Sequence, residues 1–323
     1  MKIKNNIFYC TFLLATVAII PAYAQFVNNG SIIGISAGTI LTVNGDFTNQ
    51  VGSILNFGEI NVGGNWANND AAGAFQLGST GKVNLTGANQ TIGGTQKTSF
   101  TNLVLKGSGV KTLLANADVR STLNINDIEF ALEDKNLEIL GSAVSSISRT
   151  TGFISTNLKG YLYRNTNTAA DYEFPLGSKL GGTLIYRPVT IKTNDNLDNT
   201  IGLSFINKDP STEGLDRSLK RFDVNEINSK YFYLADQKSG SSSLEYQFTF
   251  DKTIDGDFNQ LVKWINFGLW EKAGVSNVRP VSTAQPDAKL VTLTTLTPIK
   301  KLPLTMSFIT PTNDPITIFN GFS

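Results

Sequence analysis

The clearest hydrophobic pattern in this chain is a nine-residue phrase that occurs twice. Residues 41–49 read Leu-Thr-Val-Asn-Gly-Asp-Phe-Thr-Asn, and residues 60–68 read Ile-Asn-Val-Gly-Gly-Asn-Trp-Ala-Asn. Apolar residues alternate with polar ones, which is the period of a half-buried strand. A repeat of about twenty residues is typical of stacked coils, which bury their apolar faces against one another. The pattern predicts that the two copies stack as successive rungs of a β-solenoid, with Phe47 near Trp66 and Val43 near Val62, all in one column.

Looser versions of this pattern continue to about residue 165. Short runs with strand character alternate there with Gly, Asn and Ser, residues that favour turns, and this is typical of an all-β chain. No long stretch has the apolar spacing of an amphipathic helix. Asn is frequent between Asn28 and Asn89, and in a stacked coil it can occupy corners or hydrogen-bond to its equivalent one rung away. The alternative is an ordinary sandwich in which Asn and Gly mark hairpin turns. The solenoid is favoured because spacing and residue type recur together.

The composition changes after about residue 169, where charged and aromatic residues become denser and Gly becomes rarer. Strand candidates recur at the spacing of a β-sandwich, and one long candidate runs from Leu261 to Trp270. Tyr246, Phe248 and Phe250 share one face of another candidate. They form either a core stripe or a platform on which a sugar stacks. Aromatic residues at strand spacing favour the core.

The N-terminus has the layout of a secretory signal peptide. Lys2 and Lys4 precede an apolar run over residues 7–20, and Ala22-Tyr-Ala24 forms an Ala-x-Ala cleavage site. We expect cleavage after Ala24, export, and no transmembrane segment in the mature chain, since the apolar run is too short for an anchor. The predicted organisation is all-β: signal peptide 1–24, repetitive β-solenoid-like domain 25–168, β-sandwich domain 169–310, and a linker or the start of a further domain over 311–323.

The residue inventory excludes much metal and nucleophile chemistry. The chain has no His, and its one Cys, Cys10, lies in the predicted signal peptide. The usual ligands of transition metals are therefore missing from the predicted mature chain, and no cofactor is expected. A hard cation such as calcium has one weak candidate site, formed by Asp251, Asp255 and Asp257 around a glycine. The segment lacks the other ligands of an EF-hand loop, so an acidic surface turn is the favoured interpretation.

Two motifs resemble enzyme signatures, but the residues around them do not fit an enzyme site. Residues 34–38 match G-x-S-x-G, but a hydrolase elbow needs a His and a following helix, so we interpret them as a turn. Residues 107–112 have the wrong spacing for a phosphate loop. No carboxylate column is evident in the repeats, and no catalytic residue is assigned. The first region has scattered acids: Asp46, Glu59, Asp70, Asp118, Asp127, Glu129, Glu133 and Asp134. The net charge of +1, with few basic clusters, predicts no nucleic-acid partner.

The C-terminal sequence carries a family resemblance. Residues 315–323, Pro-Ile-Thr-Ile-Phe-Asn-Gly-Phe-Ser, resemble the opening of the gliding-motility-associated C-terminal domain of Bacteroidetes surface proteins, and the chain stops where a Pro would follow. The Gly- and Asn-rich first region and the segments 174–177 and 186–189 also resemble exported proteins of that phylum. The resemblance implies type IX secretion and attachment at, or release from, the cell surface. We expect the sequence to be truncated before that domain.

Together these features predict an exported, cell-surface structural or adhesive protein. Its repetitive β surface would contact an extracellular or cell-surface glycan, matrix or protein through many weak contacts in register. The alternative is a polysaccharide-active lyase or hydrolase built on a β-helix, which needs carboxylates that converge on one groove. The near absence of general acid–base candidates favours the non-enzymatic interpretation.

Overall fold

A computed structural model of the protein describes residues 25–156, 159–180, 182–274, 276–282, 285–295 and 299–308. The predicted signal peptide, residues 1–24, and the predicted linker, residues 311–323, lie outside this described part. The fold is all-β, as predicted, with a β-solenoid of about 7 turns over residues 26–164 followed by further sheets.

The solenoid is built from short strands separated by Gly- and Asn-rich corners. A 3-10 turn, Val144–Ser146, lies near the C-terminal end of the solenoid. The strands in chain order are β1 Phe26–Ile35, β2 Ile40–Val43, β3 Phe47–Asn56, β4 Glu59–Val62, β5 Trp66–Asn68, β6 Lys82–Leu85, β7 Gln90–Gly93, β8 Thr98–Leu105, β9 Val110–Leu113, β10 Ala117–Asn124, β11 Glu129–Ala131, β12 Leu137–Ile139, β13 Ile147–Ser148, β14 Phe153–Ser155 and β15 Leu162–Thr166.

The two copies of the repeated phrase stack in register, which confirms the predicted rungs. Phe47 lies opposite Trp66 across the parallel pair β3–β5, and their rings stack with centroids 4.5 Å apart. Val43 lies opposite Val62 across β2–β4. One detail differs from the prediction: the aromatic and the valine pairs occupy two columns on different sheets, not one column. At the corner between β2 and β3 the chain passes from one sheet to the other, so the aromatic pair and the valine pair both point into the same core.

Asn residues connect the rungs, as the sequence predicts. Asn28 Nδ2 donates to Asn49 Oδ1 at 2.9 Å, and Asn49 Nδ2 donates to Asn68 Oδ1 at 3.1 Å, inside the coil. At another corner the backbone N–H of Asn65 donates to Asp46 Oδ1, and Asn65 Oδ1 accepts from a backbone N–H of the next rung. This corner requires glycine at position 64, because a Cβ on Gly64 would lie only 2.3 Å from Asp46 Oδ1. The buried amides of Asn28, Asn49 and Asn68 are thus paired along the stack, which avoids the cost of leaving them unsatisfied.

The second region contains longer, mostly antiparallel strands and a 3-10 turn at Pro210–Glu213. Its strands are β16 Asp171–Phe174, β17 Gly177–Leu180, β18 Thr183–Tyr186, β19 Val189–Thr193, β20 Asn199–Ile206, β21 Glu226–Ile227, β22 Phe232–Ser239, β23 Leu244–Asp251, β24 Gln260–Ile265, β25 Leu269–Lys272, β26 Asn277–Ser282, β27 Gln285–Thr295 and β28 Leu302–Phe308.

One sheet runs through both regions. Strands β2-β4-β6-β8-β10-β12-β15 form one wall of the solenoid, and the same sheet continues as β20-β22-β28-β24-β25. The change occurs at β15, which pairs parallel with β12 and antiparallel with β20. The predicted boundary at residues 168 and 169 falls in the turn after β15. The second region therefore covers the last rung with backbone hydrogen bonds, and it is joined to the solenoid by a shared sheet.

A second sheet, β16-β19-β23-β27-β26, packs against this continuation. Tyr246 and Phe248 on β23 and Tyr233 on β22 are fully buried between the two sheets, and the rings of Tyr233 and Phe248 lie 4.8 Å apart. Phe250 is 1% exposed. The stripe Tyr246, Phe248 and Phe250 is therefore core, as favoured, and is not available as a sugar platform. Its burial contributes to one continuous hydrophobic core that includes the solenoid interior.

Candidate functional site

The outer face of the solenoid wall formed by β2, β4, β6, β8 and β10 presents side chains in register. Strand alternation turns one residue in two outward, and parallel pairing places each outward residue above its equivalent. The resulting column follows the solenoid axis across five rungs and consists of Ile40, Glu59, Lys82, Asn102 and Thr122. A neighbouring column, two positions further along each strand, includes Thr42, Asn61, Asn84, Val104 and Asn124.

A shallow groove of about 400 Å³ lies along this face, and we call it the rung groove. Its lining includes all five residues of the first column together with Thr39, Thr80 and glycines at the corners. Rungs of a parallel stack are spaced about 4.8 Å apart. The rung groove therefore offers a fixed, repeating series of hydroxyl, amide, carboxylate and ammonium groups.

The polar groups of the rung groove are held in place by their neighbours. Lys82 Nζ lies 2.6 Å from Glu59 Oε1, and Asn84 Nδ2 donates to Glu59 Oε2 at 3.1 Å. The Lys82 ammonium holds the pKa of the Glu59 carboxyl below its usual range. Thr122 Oγ1 donates to Asn102 Oδ1 at 2.7 Å. Glu59 is thus a paired, ionised carboxylate, which suits hydrogen bonding to hydroxyls and does not suit a general acid.

A second concavity lies where the solenoid meets the second region, and we call it the junction cavity. It has a volume of about 580 Å³, within the usual range for small-molecule sites. Its walls come from the turn and strand at residues 144–149, from β15 and β16, and from one position each on β19 and β23. The charged residues of its lining are Arg149, Arg164, Asp171 and Glu173.

Arg164 forms a buried cation in the wall of the junction cavity. Its side chain is 1% exposed, and its guanidinium donates to the backbone oxygens of Glu173 and Val144. The rings of Tyr172 and Phe174 lie 5.4 and 5.9 Å from its Cζ. Burial lowers the pKa of Arg164 to about 10. Within the described residues it has no carboxylate partner, and its Nε has no hydrogen-bond partner.

Arg149, Tyr186 and Glu173 form a connected group on the rim of the same cavity. The Arg149 guanidinium lies 4.3 Å above the Tyr186 ring and donates through Nε to the Gly152 carbonyl at 2.6 Å. Tyr186 donates to Glu173 Oε1 at 2.6 Å, and burial, followed by this hydrogen bond, raises the pKa of the tyrosine hydroxyl. The group is therefore a fixed set of donors and acceptors at an open rim.

The calcium candidate is not assembled in the described structure. Asp255 is almost fully buried, and its carboxylate accepts from Arg187 Nε and Nη2 at 2.7 and 2.8 Å and from Tyr231 at 2.9 Å. Asp251 accepts from the backbone of its own turn. Asp257 pairs on the surface with Lys252. The three carboxylates thus have separate partners, and no group of three metal-ligating acids, His or Cys occurs among the described residues.

The two enzyme-like motifs are structural. Residues 34–38 span the end of β1 and a turn closed by the Thr39 amide, which donates to the Ser36 carbonyl. In the segment 107–112, Lys111 points inward and is fully buried. Its ammonium donates to the carbonyls of Gly87, Ala88 and Ser108, and so caps a corner of the coil.

Sequence reasoning missed the junction cavity entirely. Its lining residues come from segments between Val144 and Gln247 that only the folded chain brings together, and no local pattern marks them. The rung groove, in contrast, follows from the repeat once the register is known. In the described part of the chain, no helix has the length and apolarity required to cross a membrane. Comparison with protein-family models, curated proteins and solved structures gives no match to this chain.

Proposed function

We propose that this protein is an exported cell-surface protein whose solenoid binds an extended surface glycan along the rung groove. The observation that carries this proposal is the register of outward side chains over five rungs, from Ile40 to Thr122. A polysaccharide also repeats its hydroxyls at a regular interval, so a stiff periodic surface can meet several sugar units without rearrangement. Each unit contributes little, and several contacts in register add up.

The location of the protein at the cell surface is part of the same proposal. The signal-peptide pattern before Gln25 and the C-terminal resemblance to gliding-motility-associated surface proteins support export and surface display. N-terminal sequencing of exported material is the direct check, with Gln25 expected as the first residue. Material that begins at Met1 would contradict it.

A retention assay tests the adhesive role. The mature chain is passed over beads that carry xylan, mannan, β-glucan or polygalacturonate, first as single molecules and then clustered on a multivalent carrier. We expect weak retention that increases on clustering. The double variant Asn102→Ala and Thr122→Ala removes two hydrogen-bonding groups from the rung groove and should lower retention at least tenfold when clustered.

A matched control uses the opposite wall. Thr48 and Asn69 lie on β3 and just after β5, away from the rung groove, and the double variant Thr48→Ala and Asn69→Ala also removes one hydroxyl and one amide. It should be retained like the wild type. Equal losses in the two double variants, or no retention of the wild type on any of the four polymers, would overturn the assignment of the rung groove.

Glycan cleavage is the second candidate function, and one observation favours it. Asp171 and Glu173 are two positions apart on β16, so both project from the same side of this strand into the junction cavity. Paired carboxylates are what a glycosidase requires. We expect no hydrolase or lyase turnover on the four polymers. Turnover that disappears in Glu173→Gln or Asp171→Asn would replace the adhesive function with an enzymatic one.

A further inference from the structure

The junction cavity has an unequal charge distribution. Arg164 is buried beneath it without a carboxylate partner in the described structure, whereas Asp171 and Glu173 are exposed at its rim. A charge in a low-dielectric environment acts more strongly than one in water, and mobile ions screen exposed carboxylates. The base of the cavity is therefore electropositive, although its lining contains as many acids as arginines.

Arg149 extends this positive base to a position that a ligand can reach. A quarter of its side chain is exposed, its Nη1 lies 3.8 Å from Glu173 Oε1 at the rim, and its stacking on Tyr186 fixes the plane of the guanidinium. A planar, fixed guanidinium binds carboxylates with less loss of side-chain freedom than a mobile lysine. The site therefore matches a ligand that carries one carboxylate.

The remaining lining matches hydroxyl groups. Asp171 and Glu173 can only accept hydrogen bonds when ionised, and Thr190, Gln247 and Ser145 can donate or accept. A simple anion would be repelled by the rim acids and would leave most of the cavity unused. A ligand with a carboxylate at the base and several hydroxyls at the rim satisfies both parts of the site.

We propose that the junction cavity binds an acidic sugar unit, with a uronate carboxylate directed towards Arg149 and Arg164 and with hydroxyls directed towards Asp171 and Glu173. This inference deepens the proposed glycan binding but concerns a separate site: the rung groove would hold the length of a polymer, and the junction cavity would select an acidic residue of it. The geometry requires no covalent step.

Calorimetric titration of the mature chain at low salt tests this inference with three probes: trigalacturonate, the neutral trisaccharide maltotriose, and free alanine as a small zwitterion. We expect trigalacturonate to bind at least tenfold more tightly than maltotriose, to weaken at high salt, and to bind more tightly than alanine. Equal binding of the two trisaccharides, no measurable binding of trigalacturonate, or tighter binding of alanine would each overturn the acidic-sugar assignment.

Matched variants locate the site. Arg149→Gln should weaken trigalacturonate binding at least tenfold, and Arg149→Lys should cause a smaller loss. Gln247→Glu, which adds a carboxylate to the lining, should weaken the acidic but not the neutral probe. The control is Arg221→Gln, because Arg221 is a surface arginine paired with Glu271 outside the cavity. An equal loss in Arg221→Gln would show a non-specific charge effect and overturn the site.

The two proposals fail independently. The rung-groove variant Asn102→Ala and Thr122→Ala should bind trigalacturonate like the wild type while losing retention on polymer beads. If that variant loses trisaccharide binding and Arg149→Gln does not, the acidic unit binds in the rung groove and the junction-cavity inference is overturned. Thermal unfolding of each variant separates a binding defect from a folding defect.

Discussion

The solenoid and the second region are both all-β, but different kinds of contact stabilise them. In the solenoid, each rung pairs with its neighbours about twenty residues away, and the same kinds of contact recur: aromatic on aromatic, Asn on Asn. In the second region, strands far apart in sequence pair antiparallel, and a buried ion pair, Arg187–Asp255, connects the segment before β19 with the turn after β23. Repetition distributes stability over many similar contacts, whereas the second region depends on a few singular ones.

The largest predicted effect tests the repeated core. Val62 is fully buried in register with Val43 and Leu85. Val62→Asp should lower the free energy of unfolding by more than about 5 kcal/mol, because it removes a buried apolar side chain and buries an unpaired carboxylate. Chemical denaturation measures it. The control is Asn61→Asp, whose side chain points outward from the same strand and should change stability little. Similar effects of the two would contradict the assigned faces.

The next effect tests the singular contact of the second region. Asp255→Asn leaves the Arg187 guanidinium buried without its anion and should cost about 3–5 kcal/mol. Asp257→Asn removes an exposed carboxylate paired with Lys252 and should cost less than about 1 kcal/mol.

The Asp257→Asn variant also tests the calcium candidate. Adding calcium should leave the melting temperature of the wild-type protein unchanged, because Asp255 already accepts from Arg187 and Tyr231. A calcium-dependent rise in melting temperature that disappears in Asp257→Asn would establish a cation site in this turn.

A smaller effect concerns the internal Asn ladder. Asn49 accepts from Asn28 and donates to Asn68 and to the Gly52 carbonyl. Asn49→Ala should cost about 1–3 kcal/mol because it leaves buried polar partners unsatisfied. Gln50→Ala, at an exposed neighbouring position, is the matched control. A loss of similar size in both variants would show that the ladder contributes nothing specific.

The smallest effect is a pH dependence at Lys111. Burial lowers the pKa of this ammonium to about 8, below the value of about 10.4 in an unfolded chain. The unfolded chain therefore binds more protons between these values, and the stability of the folded state rises with pH in that window.

Comparison with Lys111→Met isolates this contribution from the buried tyrosines, which titrate at higher pH. The difference in unfolding free energy should shift in favour of the wild type by at most about 2 kcal/mol from pH 8 to pH 10, because the unfolded chain still binds a proton at pH values where the folded Lys111 has released it. A difference that stays constant over this range would contradict the depressed pKa.

The sequence predicted what repetition encodes. The pairing of Phe47 with Trp66, the Asn ladder and the core stripe at Tyr246 were all predictable, because alternation and repeat spacing are local signals. The single strand predicted from Leu261 to Trp270 was wrong. The structure forms a hairpin, β24–β25, whose turn contains Gly268 at φ 73°, a left-handed conformation that glycine adopts readily.

Contacts between residues far apart in the chain could not be predicted from local sequence patterns. The partner of Asp255 is 68 residues away, and Arg187 lies beside a proline in a segment with no charge pattern. The junction cavity depends on β15 changing from parallel to antiparallel pairing, which places β16 beside the end of the solenoid. Strand order in a sheet is set by tertiary packing, so side chains that meet across it carry no shared sequence signal.

The most direct test of the central claim is to locate the bound glycan. Backbone amide shifts of the mature chain are recorded by NMR during titration with soluble oligomers of the best-retained bead polymer. We predict shifts along β2, β4, β6, β8 and β10 at residues 40, 59, 82, 102 and 122, in register across the rung groove. Shifts confined to the exposed aromatic side chains at the far end of the second region, Phe222 and Phe267, would contradict the account.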